Sequence, residues 1–195
     1  PGSLQLGSDA ASPITQTLKA HDGLGTDKAG ADLMLMTGNP TGSGAQGDMW
    51  FKTAYAGTTG STQQTPTGRM IIAKAKNLTD ALTSLFDVAL VAGARTGGTI
   101  EWTIEASDGT DLQSYSGITT WASVNKAGVY TSVITQDANN DSKAVSAGTL
   151  TVTWAILAGT NKITVQCTPA GSLTETTYRI SMIIRQNSPT AITLL

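Results

Sequence analysis

Residues 100–106 read Ile100-Glu101-Trp102-Thr103-Ile104-Glu105-Ala106, so that apolar and polar side chains alternate along the whole stretch. Successive side chains of a β-strand point to opposite faces of the sheet. The apolar side chains of this stretch therefore share one face, and the polar side chains share the other. The pattern predicts an antiparallel strand with one face in the core and one face in water.

Similar alternation recurs in the C-terminal part of the chain and predicts six strands. They are residues 86–91, 99–106, 129–135, 149–157, 162–168 and 178–185. Strands at this spacing, joined by turns with Gly, Asp and Asn such as residues 107–110, are typical of two packed sheets. The sequence therefore predicts a β-sandwich head, similar to a jelly roll, over residues 74–195. Near its beginning, residues 77–86 allow either a helical turn capped by Asn77 or an irregular linker into a strand.

The composition agrees with an all-β protein and disfavours several classes of partner. Of 195 residues, 39% are hydrophobic but only 5% are aromatic and 13% charged, and 21 residues are Gly. The net charge of -2 comes without runs of like charge, which disfavours nucleic acid and anionic membranes as partners. No apolar run is long enough to cross a bilayer, so we expect no membrane insertion. Cys167, the single cysteine, alternates with apolar residues and is expected to be a buried hydrophobe.

The first 73 residues form a different, glycine-rich region. Short apolar clusters at residues 14–20, 33–37, 49–54 and 70–73 alternate with turn signals and predict four short strands. So few short strands bury too little surface to fold alone. We therefore expect residues 1–73 to form an intertwined oligomeric neck, whose core is shared between copies of the chain. Pro1-Gly2-Ser3 is typical of a remnant of expression, with the natural N-terminus missing.

Two patterns that are typical of cofactor binding or catalysis do not have the surrounding sequence or spacing that these functions need. Residues 42–47 match the dinucleotide pattern G-x-G-x-x-G, but residues 48–53 predict a strand where a helix N-terminus would have to hold the phosphates. Glu101 and Glu105 are four residues apart on one strand, about 13 Å, which is too far for the carboxyl pair of a glycosidase. We therefore expect no catalytic residues and no cofactor, and the chain is not predicted to be an enzyme.

The sequence offers two candidates for a metal site, neither with a full set of ligands. Asp137, Asn139 and Asp141 place oxygen atoms at alternate positions of a possible calcium loop, but the glycine and the bidentate glutamate of an EF-hand are missing. An irregular calcium site and a solvated hairpin tip both stay open for this stretch. His21 is the single histidine, so it binds a metal only where several copies of the chain meet.

Receptor contact is expected within residues 111–121, which read as a loop between strands. Loops on a rigid scaffold often carry binding residues. An exposed aromatic ring can also stack on the apolar face of a sugar. The candidate receptor-binding residues are Asp111, Gln113, Tyr115 and Trp121.

Five segments of the chain resemble tail fibres and other virion appendages of tailed bacteriophages. They are residues 23–33 (GLGTDKAGADL), 42–54 (GSGAQGDMWFKTA), 84–90 (SLFDVAL), 101–113 (EWTIEASDGTDLQ) and 146–154 (SAGTLTVTW). The chain departs from the family pattern at Asp27 and at Ala45-Gln46. The resemblance implies a homotrimer in the tail of a virion, with a glycine-rich neck and a C-terminal head. It also implies contact with a glycan or protein receptor on the host surface and with other virion tail proteins.

Three functions are open on this basis. The first is attachment of a tail fibre to a host receptor, most simply a glycan, where three heads multiply weak contacts. The second is a purely structural virion joint or head-decoration protein, in which residues 115–121 pack against a neighbouring protein. The third is a fragment of a polysaccharide-degrading tailspike, whose carboxylates would come from Glu101, Glu105, Asp108 and Asp111.

Overall fold

The computed structural model describes residues 16–20, 22, 31–38, 41, 46–53, 67–173, 178–188 and 190–195. The chain divides into two compact units, Pro1–Met36 and Thr37–Leu195. In the first unit the described residues belong to no helix or strand. The described residues of the second unit form eleven β-strands and one short 3-10 helix, Ala138–Asn140, and contain no α-helix. The all-β prediction is confirmed.

The strands build two antiparallel sheets. In chain order they are β1 (Met49–Thr53), β2 (Thr67–Leu78), β3 (Thr83–Ala89), β4 (Arg95–Ser107), β5 (Leu112–Lys126), β6 (Val129–Gln136), β7 (Ser142–Val145), β8 (Leu150–Gly159), β9 (Lys162–Gly171), β10 (Tyr178–Gln186) and β11 (Ile192–Leu194). The large sheet has the order β1-β2-β10-β4-β5-β6, with β7 also paired to β5. The small sheet has the order β11-β3-β9-β8.

The two sheets share one core, because the strands bury alternate side chains. In β4, Ile100, Trp102 and Ile104 are at most 2% exposed, as the alternation along this strand predicts. Phe86 of the small sheet contacts Trp121 of the large sheet edge-on, with ring centroids 6.0 Å apart. Aromatic contacts of this geometry stabilise a core beyond the area that they bury. Side chains from both sheets therefore hold the unit together.

The prediction of a loop at residues 111–121 is wrong, because residues 112–121 belong to β5, a long central strand. β5 pairs with β4 on one side and with β6 and β7 on the other. Its inward side chains include Gln113, Thr119, Ser123 and Asn125, none more than 5% exposed. Polar residues on the buried face hide the alternation of hydrophobicity that marks a strand in a sequence.

Of the four strands expected in the glycine-rich region, two are found. Residues 49–54 and 70–73 fall largely in β1 and β2, which extend the large sheet beyond β10. Residues 33–37 form no strand. Of residues 14–20, only 16–20 are described, and they form no strand either.

β2 crosses the expected boundary between neck and head. The strand runs through residues 73 and 74, so the residues on both sides of that boundary belong to one sheet. Residues 79–82 then form a short turn, and β3 begins at Thr83. Of the two alternatives for residues 77–86, the irregular linker is the one found.

An ion pair on the small sheet predicts how stability depends on pH. Asp87 accepts hydrogen bonds from Lys162 Nζ and Thr164 Oγ1, both at 2.5 Å. Burial raises the pKa of Asp87, but these hydrogen bonds and the Lys162 charge outweigh it, so the pKa lies below its ordinary value of 3.8. A depressed pKa in the folded state means that the stabilisation is complete above the ordinary value and is lost as the pH falls through the folded value.

We therefore expect Asp87→Asn to lower the urea midpoint of unfolding at neutral pH. The difference from the wild type should shrink as the pH is lowered through the acidic range. Asp80→Asn removes a carboxylate from an exposed turn and serves as the control. A difference between Asp87→Asn and wild type that stays constant down to strongly acidic pH would contradict this role of Asp87.

Candidate functional site

The outer face of the large sheet, which points away from the core, carries three open clefts along β4 and β5. The tip cleft lies beside Leu112, next to the turn between these strands, and measures about 610 Å³. The central cleft lies beside Ile118 and measures about 570 Å³. The valine cleft lies beside Val133 and measures about 580 Å³. Concave surfaces of this size are the usual places for ligands.

A tight turn between β4 and β5 shapes the tip cleft. Gly109 has a φ of 88°, a left-handed conformation that glycine adopts without strain. The Asp108 carboxylate accepts hydrogen bonds from the backbone N–H of Asp111 at 2.8 Å and of Thr110 at 3.0 Å. These bonds hold the pKa of Asp108 below its ordinary value. The turn predicted at residues 107–110 is confirmed.

Opposite charges face each other inside the tip cleft. Glu105 of β4 and Arg179 of β10 are cross-strand partners on the outer face, and both line the cleft. Both residues are exposed, and no ion pair joins them among the described residues. Leu112, 65% exposed, adds an apolar wall. The cleft therefore offers a ligand a hydrogen-bond acceptor, a hydrogen-bond donor and an apolar contact.

Two of the predicted receptor residues lie at the tip cleft. Asp111 precedes Leu112, and its Oδ1 accepts a hydrogen bond from Ser146 Oγ at 2.7 Å. Gln113 lines the cleft but is only 2% exposed. Its Nε2 donates to the carbonyl oxygen of Ala147 at 2.7 Å, and its Oε1 is buried with no hydrogen-bond partner in the described part of the chain. Asp111 is half-buried beside the cleft, whereas Gln113 is buried beneath it.

The other two predicted receptor residues lie in the core. Trp121 is 1% exposed and Tyr115 is 5% exposed, both on the inner face of β5. Tyr115 Oη donates a hydrogen bond to Asp141 Oδ2 at 2.5 Å, and Gln136 Nε2 donates to both of these oxygens. Burial and the neighbouring Asp141 carboxylate raise the pKa of Tyr115 to about 12. Neither ring offers its face to a sugar.

The two carboxylates of the possible calcium loop, Asp137 and Asp141, accept other hydrogen bonds. Asp137 caps the 3-10 helix, where its carboxylate accepts a hydrogen bond from the backbone N–H of Asn139 at 3.0 Å. Asp141 accepts the hydrogen bond from Tyr115. Within the described ranges, no group of three or more His, Cys, Asp or Glu side chains is arranged to hold a metal ion. His21 lies outside the described residues.

Two further side chains that could take part in chemistry, Glu101 and Cys167, are an ion-pair partner and a buried thiol. Glu101 forms an ion pair with Arg185 on the outer face of the large sheet. Cys167 is completely buried, and this burial raises the pKa of its thiol to about 12. The prediction that Cys167 is a buried residue is confirmed.

Sequence reasoning missed the pairing of Glu105 with Arg179. Each residue lies on the polar side of a strand that the alternation predicted correctly. The signal for exposure was therefore present in the sequence. Their proximity depends on the register between β4 and β10, which are far apart in the chain, and register is not encoded in either strand alone.

The part of the chain that the structure describes contains no helix long and apolar enough to cross a membrane. Comparison of the chain with protein-family models, with curated proteins and with solved structures found no match.

Proposed function

We propose that this chain is the C-terminal part of a homotrimeric phage tail fibre that attaches to a host-surface glycan through the tip cleft. The observation that carries the proposal is the exposed pair of opposite charges, Glu105 and Arg179, beside the exposed Leu112. The proposed role is binding without catalysis or a cofactor, in the tail of a virion.

The chemistry of sugars matches these three side chains. Every sugar hydroxyl both donates and accepts hydrogen bonds, so Glu105 can accept from one hydroxyl while Arg179 donates to its neighbour. The Leu112 side chain can contact the apolar C–H groups of the ring. Because all three residues belong to paired strands, their positions are held more firmly than those of loop residues.

Such an open site binds a single glycan weakly, because its polar contacts compete with water. Three heads on one fibre would raise the overall affinity through avidity. Exposed apolar side chains in the first unit favour an assembly of several copies. In the single chain, exposure is between 51% and 75% for Leu33, Met34, Leu35 and Met36. An intertwined neck of three chains would bury these side chains. In the proposed fibre a jelly-roll-like head follows this neck. Other virion tail proteins bind to the same fibre.

We expect Arg179→Ala to weaken binding to host cells and to glycans on an array by about tenfold or more, because it removes charge-assisted hydrogen bonds. Glu105→Gln keeps the shape of the cleft and should weaken binding less. Lys162→Ala removes a cation from the small sheet and should leave binding unchanged. Normal binding by Arg179→Ala would show that the tip cleft is not the site.

The oligomer is tested separately by light scattering on the purified chain. A homotrimer has a mass near three times 20.1 kDa. A trimeric wild type that binds neither host cells nor any glycan would contradict receptor attachment and favour a structural virion protein.

A further inference from the structure

One end of the large sheet's outer face is apolar. Met49 and Phe51 of β1 lie opposite Ile72 and Met70 of β2, and Ile72 lies opposite Ile183 of β10. Phe51 is 40% exposed and Ile72 is 41% exposed. We call these five residues the β1–β2 patch.

The other end of the same face carries a second apolar surface. Val124 of β5 is 39% exposed, and Val129 and Val133 of β6 are 69% and 59% exposed. The pairing of β5 with β6 puts all three on the outer face. Val124 and Val133 also line the valine cleft. We call these three residues the valine patch.

Charged side chains separate the two patches. Glu101 pairs with Arg185, and Glu105 lies opposite Arg179, all on β4 and β10 in the middle of the sheet. β1 and β6 are the first and last strands in the sheet order, five strand spacings apart, which is about 24 Å. The patches are thus two distinct surfaces at opposite ends of one face.

The outer face of the small sheet contrasts with this arrangement. There, Asp87 accepts hydrogen bonds from Lys162 and Thr164, and Gln166 Nε2 donates to Ser84 Oγ at 3.0 Å. A surface with such a polar network is compatible with water, whereas contiguous exposed apolar residues mark surfaces that another protein covers. The apolar surfaces that another protein would cover therefore lie on the large sheet.

The charges around the valine patch indicate how a second copy of the chain would bind. Arg95 and Lys126 are the cross-strand partners of Val124 and Val129, and both cations are exposed. Two valine patches in contact would bring four cations together, and this repulsion disfavours self-pairing. Contact between unlike patches brings only two of these cations together, and Arg185, the cross-strand neighbour of Met70, is paired with Glu101. Unlike patches at opposite ends of a subunit are also what a closed, head-to-tail ring requires.

We propose that the β1–β2 patch of one copy packs against the valine patch of the next copy, so that the copies close into a ring. The apolar side chains of the β1–β2 patch, Phe51 above all, then cover the valine cleft of the neighbouring copy. This inference rests on the homotrimer of the proposed function and adds the surfaces through which its copies meet.

Cysteine crosslinking of the whole chain tests this contact. Ile72→Cys and Val133→Cys each introduce one accessible thiol, while the native Cys167 is completely buried. Two differently tagged chains, one with each substitution, are expressed together and treated with a short bismaleimide. We expect crosslinked pairs when both variants are present, and about tenfold fewer with either variant alone, because like patches do not meet. A chain with both substitutions should yield crosslinked trimers.

Ile72→Cys mixed with Leu157→Cys is the matched control, because Leu157 is 56% exposed but belongs to the small sheet. This mixture should not crosslink. The ring is wrong if Ile72→Cys and Val133→Cys fail to crosslink, or if Val133→Cys crosslinks to itself equally well. The uncrosslinked wild-type mass separates the two proposals: a trimer without the mixed crosslink removes only the ring, whereas a monomer removes the homotrimer and the ring together.

Discussion

Trp121→Ala is expected to reduce the free energy of unfolding by about 3–5 kcal/mol. Trp121 is 1% exposed, and its ring packs edge-on against Phe86 across the two sheets. Truncation leaves a cavity that paired strands cannot close by a local shift, so the lost contacts are not replaced. Equilibrium unfolding in urea measures the change, which should also lower Tm by on the order of 10 °C.

Leu112→Ala is the matched control for this experiment. Leu112 lies on the same strand but is 65% exposed, so its truncation should change stability by less than about 0.5 kcal/mol. It should instead weaken receptor binding, because it removes the apolar wall of the tip cleft. A Trp121→Ala chain that kept wild-type stability and lost binding to host cells would restore the hypothesis that residues 111–121 contact the receptor directly.

The misreading of β5 has a physical cause. Its buried face carries polar side chains whose partners come from other parts of the chain. Thr119 Oγ1 accepts a hydrogen bond from Trp102 Nε1 at 2.9 Å, and Asn125 Nδ2 donates to the carbonyl oxygen of Leu90 at 2.8 Å. Hydrogen bonds of this kind offset the free-energy cost of burying polar groups. A sequence pattern records hydrophobicity but not these partners, so the strand resembled a polar loop.

β4 and β10 were predictable because the buried side chains of their predicted segments are apolar. Residues 99–106 of β4 and the whole of β10 bury alternate side chains, and in β10 Ile180, Met182 and Ile184 are at most 5% exposed. The turn at residues 107–110 was predictable because Asp108 and Gly109 favour it locally. The tip cleft was only partly predictable, since Asp111 and Gln113 were singled out but the charged pair depends on register.

Gly98→Ala is expected to destabilise the unit by at least about 4 kcal/mol or to prevent folding, because a Cβ at this position would overlap the carbonyl oxygen of Arg185 and lie 3.1 Å from Cα of Gln186. These are backbone atoms of the paired strand β10, so no side-chain rotation relieves the clash. Gly38→Ala, whose Cβ would meet nothing within 4 Å, should leave the urea midpoint nearly unchanged. Any Gly98→Ala chain that folds must separate β4 from β10, the two strands that bring Glu105 and Arg179 together, so it should also lose receptor binding. Wild-type stability of Gly98→Ala would mean that the two strands are not packed as closely as described.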